Sequence, residues 1–143
     1  MALVAAGRIT ALTHRIIGCG IRVHRYFGPG LLHAPYAFAL AYELTSIGLR
    51  CEREIACPVV YGGTTLPCAY RLDMVVEDTV VVEIKAIDRF HDIHRAQLIT
   101  YLKLSGYPAG LLINFNVPVL KDGIMRVLND ARVRRVSETE QGS

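Results

Sequence analysis

The stretch that decides the fold is YRLDMVVEDTVVVEIK, residues 70–85. The segment that begins at Val80 within it and continues to Ile87 consists mostly of β-branched and other apolar residues, which predicts a strand buried on both faces. Glu83 and Lys85 lie two residues apart in that strand and therefore on the same face. Burying either charge alone would cost several kcal/mol, so a compensating group is expected, and a metal ion beside Glu83 would be one.

Asp73 precedes the predicted strand, across a turn at residues 77–79. A turn with two loop residues would place Asp73 opposite Val82 and away from Glu83. A turn with three loop residues would place Asp73 opposite Glu83 on one face. We predict the three-residue turn or an equivalent bulge, so that the two carboxylates converge and Lys85 lies one pleat further on.

Two carboxylates and a lysine suit the hydrolysis of phosphodiester bonds. Mg²⁺ prefers carboxylate and water oxygens, lowers the pKa of a bound water and neutralises charge on the attacked phosphate. A lysine can orient the nucleophile or stabilise the transition state. The simpler interpretation of Glu83 and Lys85 is an ion pair on an exposed strand. The apolar strand and the placement of Asp73 favour the catalytic interpretation.

Gln97 and Tyr101 are the next polar pair that fits this interpretation. They are spaced i, i+4 and so share one face of a helix predicted over residues 92–104. That helix follows the strand directly, and its polar face would look into the site. Taken alone, the pair also suits a tyrosine on the core beside a surface glutamine.

The rest of the chain surrounds this segment with helices and strands. Apolar spacing predicts helices over residues 9–27 and 34–47, and the first is stopped by Gly28-Pro29-Gly30. Strands are predicted over residues 51–61, 66–76 and 109–115, with a last strand over 124–128. The order is α-α-β-β-β-α-β, which predicts an α/β fold around a mixed sheet. A right-handed crossover through the third helix would make the two strands that flank it parallel.

Composition limits the class of protein. The chain has 143 residues, of which 52% are hydrophobic, and a formal net charge of +3. That suits one domain, predicted over residues 1–136 with a polar tail over 137–143, and excludes wholesale disorder. No apolar run would span a membrane and no secretory signal is seen, so we expect a cytoplasmic protein. The mild basicity permits a polyanionic partner without requiring one.

The remaining features suggest no further chemistry. The four cysteines form no CxxC pair or zinc spacing, so we expect reduced thiols acting as small core residues, although a disulfide between Cys57 and Cys68 stays possible. The sequence has no G-x-G-x-x-G or Walker loop, so nothing supports a nucleotide-binding protein of those kinds. Four arginines near the C-terminus are expected in a solvated helical or disordered tail rather than in a phosphate-binding patch: Arg126, Arg132, Arg134 and Arg135.

The ordered set of Asp73, Glu83-Ile84-Lys85 and the QLITY segment at residues 97–101 resembles the PD-(D/E)XK nuclease superfamily. Longer segments of the sequence resemble one branch of this superfamily, the GxxExxY proteins. The matching segments include FGPGLL at 27–32, AQLITYLKLSG at 96–106 and GLLINFN at 110–116. The resemblance covers roughly residues 9–126, and the ordered set with its GLLINFN ending is specific, whereas E-x-K alone is not.

The resemblance implies a restriction-endonuclease-like α-β-β-β-α-β core and a nuclease that acts on nucleic acid, with DNA the expected substrate. It implies that Asp73, Glu83 and the carbonyl of Ile84 bind Mg²⁺ or Mn²⁺. It also implies that Lys85 is the catalytic lysine. Gln97 and Tyr101 match a Q-x-x-x-Y helix that supports the site or contacts DNA.

One departure from the branch matters. Its name-giving frame reads Gly30-Leu31-Leu32-His33-Ala34-Pro35-Tyr36 here, with His33 in place of the glutamate. Either His33 is a nitrogen ligand, which shifts preference toward Mn²⁺ or another transition ion, or the site has lost a ligand. In the second case the chain would be an impaired nuclease fold that binds nucleic acid or assembles with proteins, with a homodimer as one possible form. Arg22 likewise stands where the branch usually carries an acidic residue.

Three further histidines carry weaker expectations. His24 is expected to pack or to form a hydrogen bond near the site. His91 and His94 flank the start of the third helix and are expected to be surface or capping residues.

Overall fold

The protein is described by a computed structural model that covers residues 3–135. The predicted polar tail, residues 137–143, lies outside the described residues, so the proposed domain limit near residue 136 stays a prediction. None of the helices within residues 3–135 is long and apolar enough to cross a membrane.

Three α-helices frame the fold: α1 (Ala6–Phe27), α2 (His33–Ser46) and α3 (Asp92–Ser105). Helix α1 starts three residues before the predicted position and ends where Gly28 adopts φ of 65°, a left-handed conformation that glycine tolerates and that stops a helix. Helix α2 carries Pro35 in its first turn, where a missing N–H costs no hydrogen bond. All three predicted helices are thus present.

The central sheet has five strands: β2 (Cys51–Tyr61), β3 (Thr64–Val76), β4 (Val80–Lys85), β5 (Ala109–Asn114) and β6 (Ile124–Leu128). Their spatial order is the order of the sequence. Strands β2, β3 and β4 form an antiparallel meander, β4 and β5 run parallel with α3 between them, and β6 is antiparallel to β5. This mixed sheet flanked by helices is an α/β fold of restriction-endonuclease-like architecture, as predicted.

A second, two-stranded sheet joins the ends of the described chain. Strand β1 (Val4–Ala5) pairs in parallel with β7 (Val133–Arg134). Neither was predicted, because a strand of two residues is too short to show a period. The prediction that the C-terminal arginines lie in a helical or disordered tail is wrong for two of them. Arg126 lies in β6 and Arg134 lies in β7.

The helices cover both faces of the sheet. Helices α1 and α2 pack on one face with Val82 and Ile84, and α3 packs on the other with Val81 and Leu112. Five of the six residues of β4 are buried, which confirms the prediction of a strand covered on both faces. Because Gly110 lacks a side chain, Leu98 of α3 lies directly over β5, where an added Cβ would come within 2.7 Å of Leu98 Cδ1. This close approach sets the position of α3 above the sheet.

Strand β4 ends at Lys85, two residues before the predicted end. The reason is that Ile87 leaves the ladder: its N–H donates to Asn114 Oδ1 at 3.1 Å, and its carbonyl accepts from Asn114 Nδ2 at 3.0 Å. Strand β3 begins at Thr64, two residues earlier than predicted.

The four cysteines have free thiols. Cys19 and Cys57 are buried as expected and Cys51 is half-buried, but Cys68 is exposed, so its predicted place in the core is wrong. Cys68 lies in the outer half of β3, where most residues are exposed. Burial raises the pKa of the Cys19, Cys51 and Cys57 thiols, which keeps them protonated and unreactive.

Candidate active site

The site lies where β3 and β4 diverge. Residues 77–79 form the turn between the strands, since Val76 pairs with Val80, and the paired ladder ends at Met74 opposite Val82. This is the three-residue turn that was predicted, and the next positions in register are Asp73 and Glu83. The two carboxylates therefore converge at the open end of the strand pair, which we call the acidic fork.

Each carboxylate of the acidic fork is held by the backbone of the opposite strand. The N–H of Asp73 donates to Glu83 Oε1 at 3.0 Å, and the N–H of Ile84 donates to Asp73 Oδ2 at 2.8 Å. The backbone ladder stops here, and these two bonds replace its pairing. The N–H groups of Asp73 and Ile84 therefore have acceptors, and both carboxylate side chains are held in place. The fork is rigid because it is built on strands.

Glu83 is electrostatically unfavourable as an anion in this position. The residue is 5% exposed. Burial, and next the charge of Asp73, raise the pKa of Glu83 to about 8, against smaller lowering effects of the hydrogen bond from Asp73 and the charge of Lys85. A buried carboxylate next to a second carboxylate is an arrangement that a bound cation would stabilise.

His33 reaches the acidic fork from the first position of α2. Its Nε2 lies 3.0 Å from Asp73 Oδ2, and 46% of its side chain is exposed. Arg22, the second departure from the branch pattern, does not join the fork. It forms an ion pair with Glu43 on α2 at 3.6 Å.

An open cleft of about 310 Å³ brings most of the predicted site residues together. Among the residues that line it are all five that were expected to bind metal or to supply the catalytic lysine: His33, Asp73, Glu83, Ile84 and Lys85. Leu32, which is 81% exposed, forms part of the rim.

Gln97 and Tyr101 are not among the residues that line the cleft. Both lie on α3, where Gln97 is exposed and Tyr101 is half-buried with its ring 5.0 Å from that of Tyr70. Burial, and next the charge of Glu83, raise the pKa of Tyr101. The Tyr101 phenol is thus close enough for the charge of Glu83 to affect its pKa, and its hydroxyl can donate a hydrogen bond.

The sequence analysis missed the role of Asn114. It is 1% exposed at the end of β5, beside Lys85 in the parallel ladder. Its amide holds both backbone groups of Ile87, and the Asn116 amide also donates to the Ile87 carbonyl at 3.3 Å. These bonds tie down the segment that follows Lys85. One polar residue in the apolar run at 109–115 was the available signal.

Three other histidines, His24, His91 and His94, have structural partners. His24 is buried and its Nε2 donates to the Val117 carbonyl at 2.7 Å, so the expected hydrogen bond is present. The N–H of His91 donates to His94 Nδ1 at 2.9 Å at the start of α3. This agrees with the capping role that was expected there.

The donor set of the acidic fork suits a hard divalent cation. Asp73, Glu83 and the carbonyl of Ile84 would supply oxygen ligands, and water would complete the shell. Within residues 3–135, no cluster of three or more His, Cys, Asp or Glu side chains is arranged to hold a metal ion. Two carboxylates with backbone and water oxygens nevertheless fit Mg²⁺, because the cleft is open to water and Mg²⁺ usually keeps several waters.

Fold and site together define an α/β protein of restriction-endonuclease-like architecture with paired carboxylates and a lysine at a strand fork. The family model of the PD-(D/E)XK nuclease superfamily matches residues 10–127. That is most of the chain, and the protein belongs to this superfamily, whose members typically use divalent metals. No curated protein and no solved structure gave a significant match.

Proposed function

We propose that the protein is a metal-dependent nuclease that hydrolyses phosphodiester bonds in nucleic acid, with DNA as its substrate. The observation that carries this proposal is Glu83, buried and locked against Asp73 with Lys85 two residues further along the same strand. Burying Glu83 beside a second carboxylate destabilises the folded state, and such arrangements are typical of functional sites. Membership of the superfamily supports the reaction class.

In this mechanism Asp73, Glu83 and the Ile84 carbonyl would hold Mg²⁺ or Mn²⁺. Such an ion would supply a water of lowered pKa and positive charge beside the scissile phosphate. Lys85 orients the attacking water or donates to a phosphate oxygen as negative charge develops there. The water oxygen forms the new bond to phosphorus, the P–O bond to the leaving strand breaks, and a proton passes to the leaving oxygen.

Tyr101 and Gln97 are proposed to act at the edge of this site. The Tyr101 phenol, protonated at neutral pH, donates a hydrogen bond toward the acidic fork or a substrate phosphate. Gln97 is exposed on the same flank of α3, one turn earlier, and contacts the nucleic acid. Both residues would position substrate rather than take part in bond breaking.

Removing divalent ions tests the proposal directly. We expect protein dialysed against EDTA to leave supercoiled and linear DNA intact, and millimolar Mg²⁺ or Mn²⁺ to restore cleavage. The reason is that two fixed carboxylates cannot activate water without a cation between them. Cleavage that persists at full rate in EDTA would contradict the mechanism.

His33 offers a second test. We propose that the His33 imidazole acts in the site in one of two ways. It is either a nitrogen ligand to the ion beside Asp73 or a hydrogen-bond partner that positions the Asp73 carboxylate. His33→Ala is expected to lower cleavage by about tenfold or more, as changes near metal ligands commonly do. His33→Glu restores an oxygen ligand and is expected to move the metal preference from Mn²⁺ toward Mg²⁺.

The comparison of the two His33 variants also tests the rival function, an impaired nuclease fold that binds nucleic acid or assembles with proteins. One observation favours it: His33 already occupies Asp73 Oδ2. Under this alternative, wild type would show no cleavage with either ion, while His33→Glu would gain activity. Equal activity of wild type, His33→Ala and His33→Glu would show that His33 has no part in the reaction.

A further inference from the structure

A second feature of the molecule lies outside the acidic fork. It is a cavity of about 610 Å³ between α3, β6 and the residues that follow β6. Four basic side chains from three parts of the chain line it: Arg95 and Lys103 of α3, Arg126 of β6, and Arg135 beyond β7. We call this the basic cavity. It includes two of the four C-terminal arginines for which the sequence suggested only a solvated tail.

The charges of the basic cavity are poorly balanced by the other residues that the structure describes. Asp130 is the single acidic residue in its lining, and it forms an ion pair with Arg135 at 2.8 Å. Arg126 donates to the Thr10 hydroxyl at 3.2 Å, a neutral partner. Arg95 and Lys103 are exposed and form no ion pair or side-chain hydrogen bond with other residues of the 3–135 segment. The cavity therefore attracts an anion with more than one negative charge.

The position of the basic cavity relates it to the acidic fork. Leu98 and Leu102 of α3 face the sheet and are buried. At 100° per residue, Gln97 and Tyr101 project from the flank nearer the fork, whereas Arg95 and Lys103 project from the opposite flank. The basic cavity and the acidic fork thus lie on the sides of two opposite flanks of α3.

The outer surface of α3 between these flanks is suited to contact with a polyanion. Its exposed positions include Ala96 and Thr100. Their side chains are short, so the backbone of a nucleic-acid strand can approach the helix closely there. The one acidic residue of α3, Asp92, lies in its first turn, away from Lys103. A nucleic acid held at the fork would meet no negative charge on its way across the middle of the helix to the cavity.

We propose that the basic cavity binds backbone phosphates of the nucleic-acid substrate at a distance from the scissile bond. This inference rests on the proposed function and extends it. The substrate must be long enough to reach across α3, and much of its affinity comes from contacts that read no sequence. Arg95 and Lys103 supply those contacts, since neither has an ion-pair or hydrogen-bond partner among residues 3–135.

The experiment measures DNA binding without cleavage. In a Lys85→Ala background, the Kd for a fluorescent 24-base-pair duplex is measured between 50 and 300 mM salt. The Arg95→Ala/Lys103→Ala variant is compared with Arg8→Ala/Arg50→Ala, which removes the same charge. Arg8 and Arg50 are exposed and line other clefts, and Arg50 pairs with Glu77. Alanine suits the helix at both α3 positions, so folding is retained.

We expect the cavity variant to bind about tenfold or more weakly at 100 mM salt, and the slope of log Kd against log salt to fall by about two. The control variant should keep most of its affinity and slope. Equal losses in the two variants, or an unchanged slope in the cavity variant, would overturn the proposal.

Tripolyphosphate distinguishes the source of the phosphate. If it binds the wild-type cavity tightly while the cavity variant binds duplex DNA normally, the site takes a small polyphosphate and the proposal is wrong. Failure here is separable from failure of the nuclease assignment. Cleavage by wild type with no cavity effect would leave the nuclease standing, whereas a cavity effect without cleavage would leave only the binding site.

Discussion

Lys85→Ala is expected to lower the rate of DNA cleavage by about 10²–10³-fold or more, the cost of removing one group that stabilises transition-state charge. Lys85 lines the cleft beside Glu83. It makes no ion pair or hydrogen bond with other side chains in the part of the chain that the structure describes. Its amine is thus available to substrate, and its loss leaves no partner unsatisfied.

The measurement is single-turnover cleavage with Mg²⁺ or Mn²⁺, alongside thermal unfolding of the same samples. Lys121→Ala is the matched control, because Lys121 is exposed near the end of β5 and does not line the cleft. We expect the control to cleave at the wild-type rate and both variants to unfold within a few degrees of wild type. A Lys85→Ala protein that cleaves as fast as Lys121→Ala would remove Lys85 from the mechanism.

Glu83→Gln is expected to stabilise the metal-free protein at alkaline pH, in spite of abolishing metal-dependent cleavage. Burial raises the pKa of Glu83 from 4.5 to about 8. Between these values the folded state keeps a proton that the unfolded chain has lost, so the stability of the wild-type protein falls as pH rises through this window. Glutamine is neutral and keeps the oxygen that accepts from the Asp73 N–H.

The expected gain for Glu83→Gln at pH 9 is on the order of 2 kcal/mol or more in the free energy of unfolding, and it should disappear near pH 4. Urea unfolding in EDTA at a series of pH values measures it. Glu77→Gln is the control, because hydrogen bonds from the Arg50 backbone and side chain lower the pKa of Glu77. That substitution should not stabilise at high pH. Parallel pH profiles for wild type and Glu83→Gln would contradict the account.

Local features of the site were predictable from the sequence. The register that brings Asp73 to Glu83 follows from the length of one turn, and the burial of β4 follows from its run of β-branched residues. The face shared by Gln97 and Tyr101 follows from helical spacing. All these features depend on residues near each other in the chain, where periodicity and turn geometry are informative.

Contacts between distant parts of the chain were not predictable from local spacing. The pair of His33 and Asp73 joins residues 40 apart, and only the family resemblance suggested that His33 belongs to the site. The bonds of Asn114 to Ile87 join residues 27 apart and were not predicted. The basic cavity likewise draws its charges from α3, β6 and the segment beyond β7. Such contacts depend on how the elements pack, and no local spacing encodes that packing.

The proposed mechanism requires that the acidic fork bind a divalent cation. The measurement that tests this requirement is a crystal soaked in Mn²⁺, with anomalous scattering collected near the manganese edge. We expect an anomalous peak between the carboxylates of Asp73 and Glu83, within bonding distance of the Ile84 carbonyl oxygen. A fork with both carboxylates well ordered and no anomalous peak, in a crystal that binds Mn²⁺ elsewhere, would contradict the proposed mechanism.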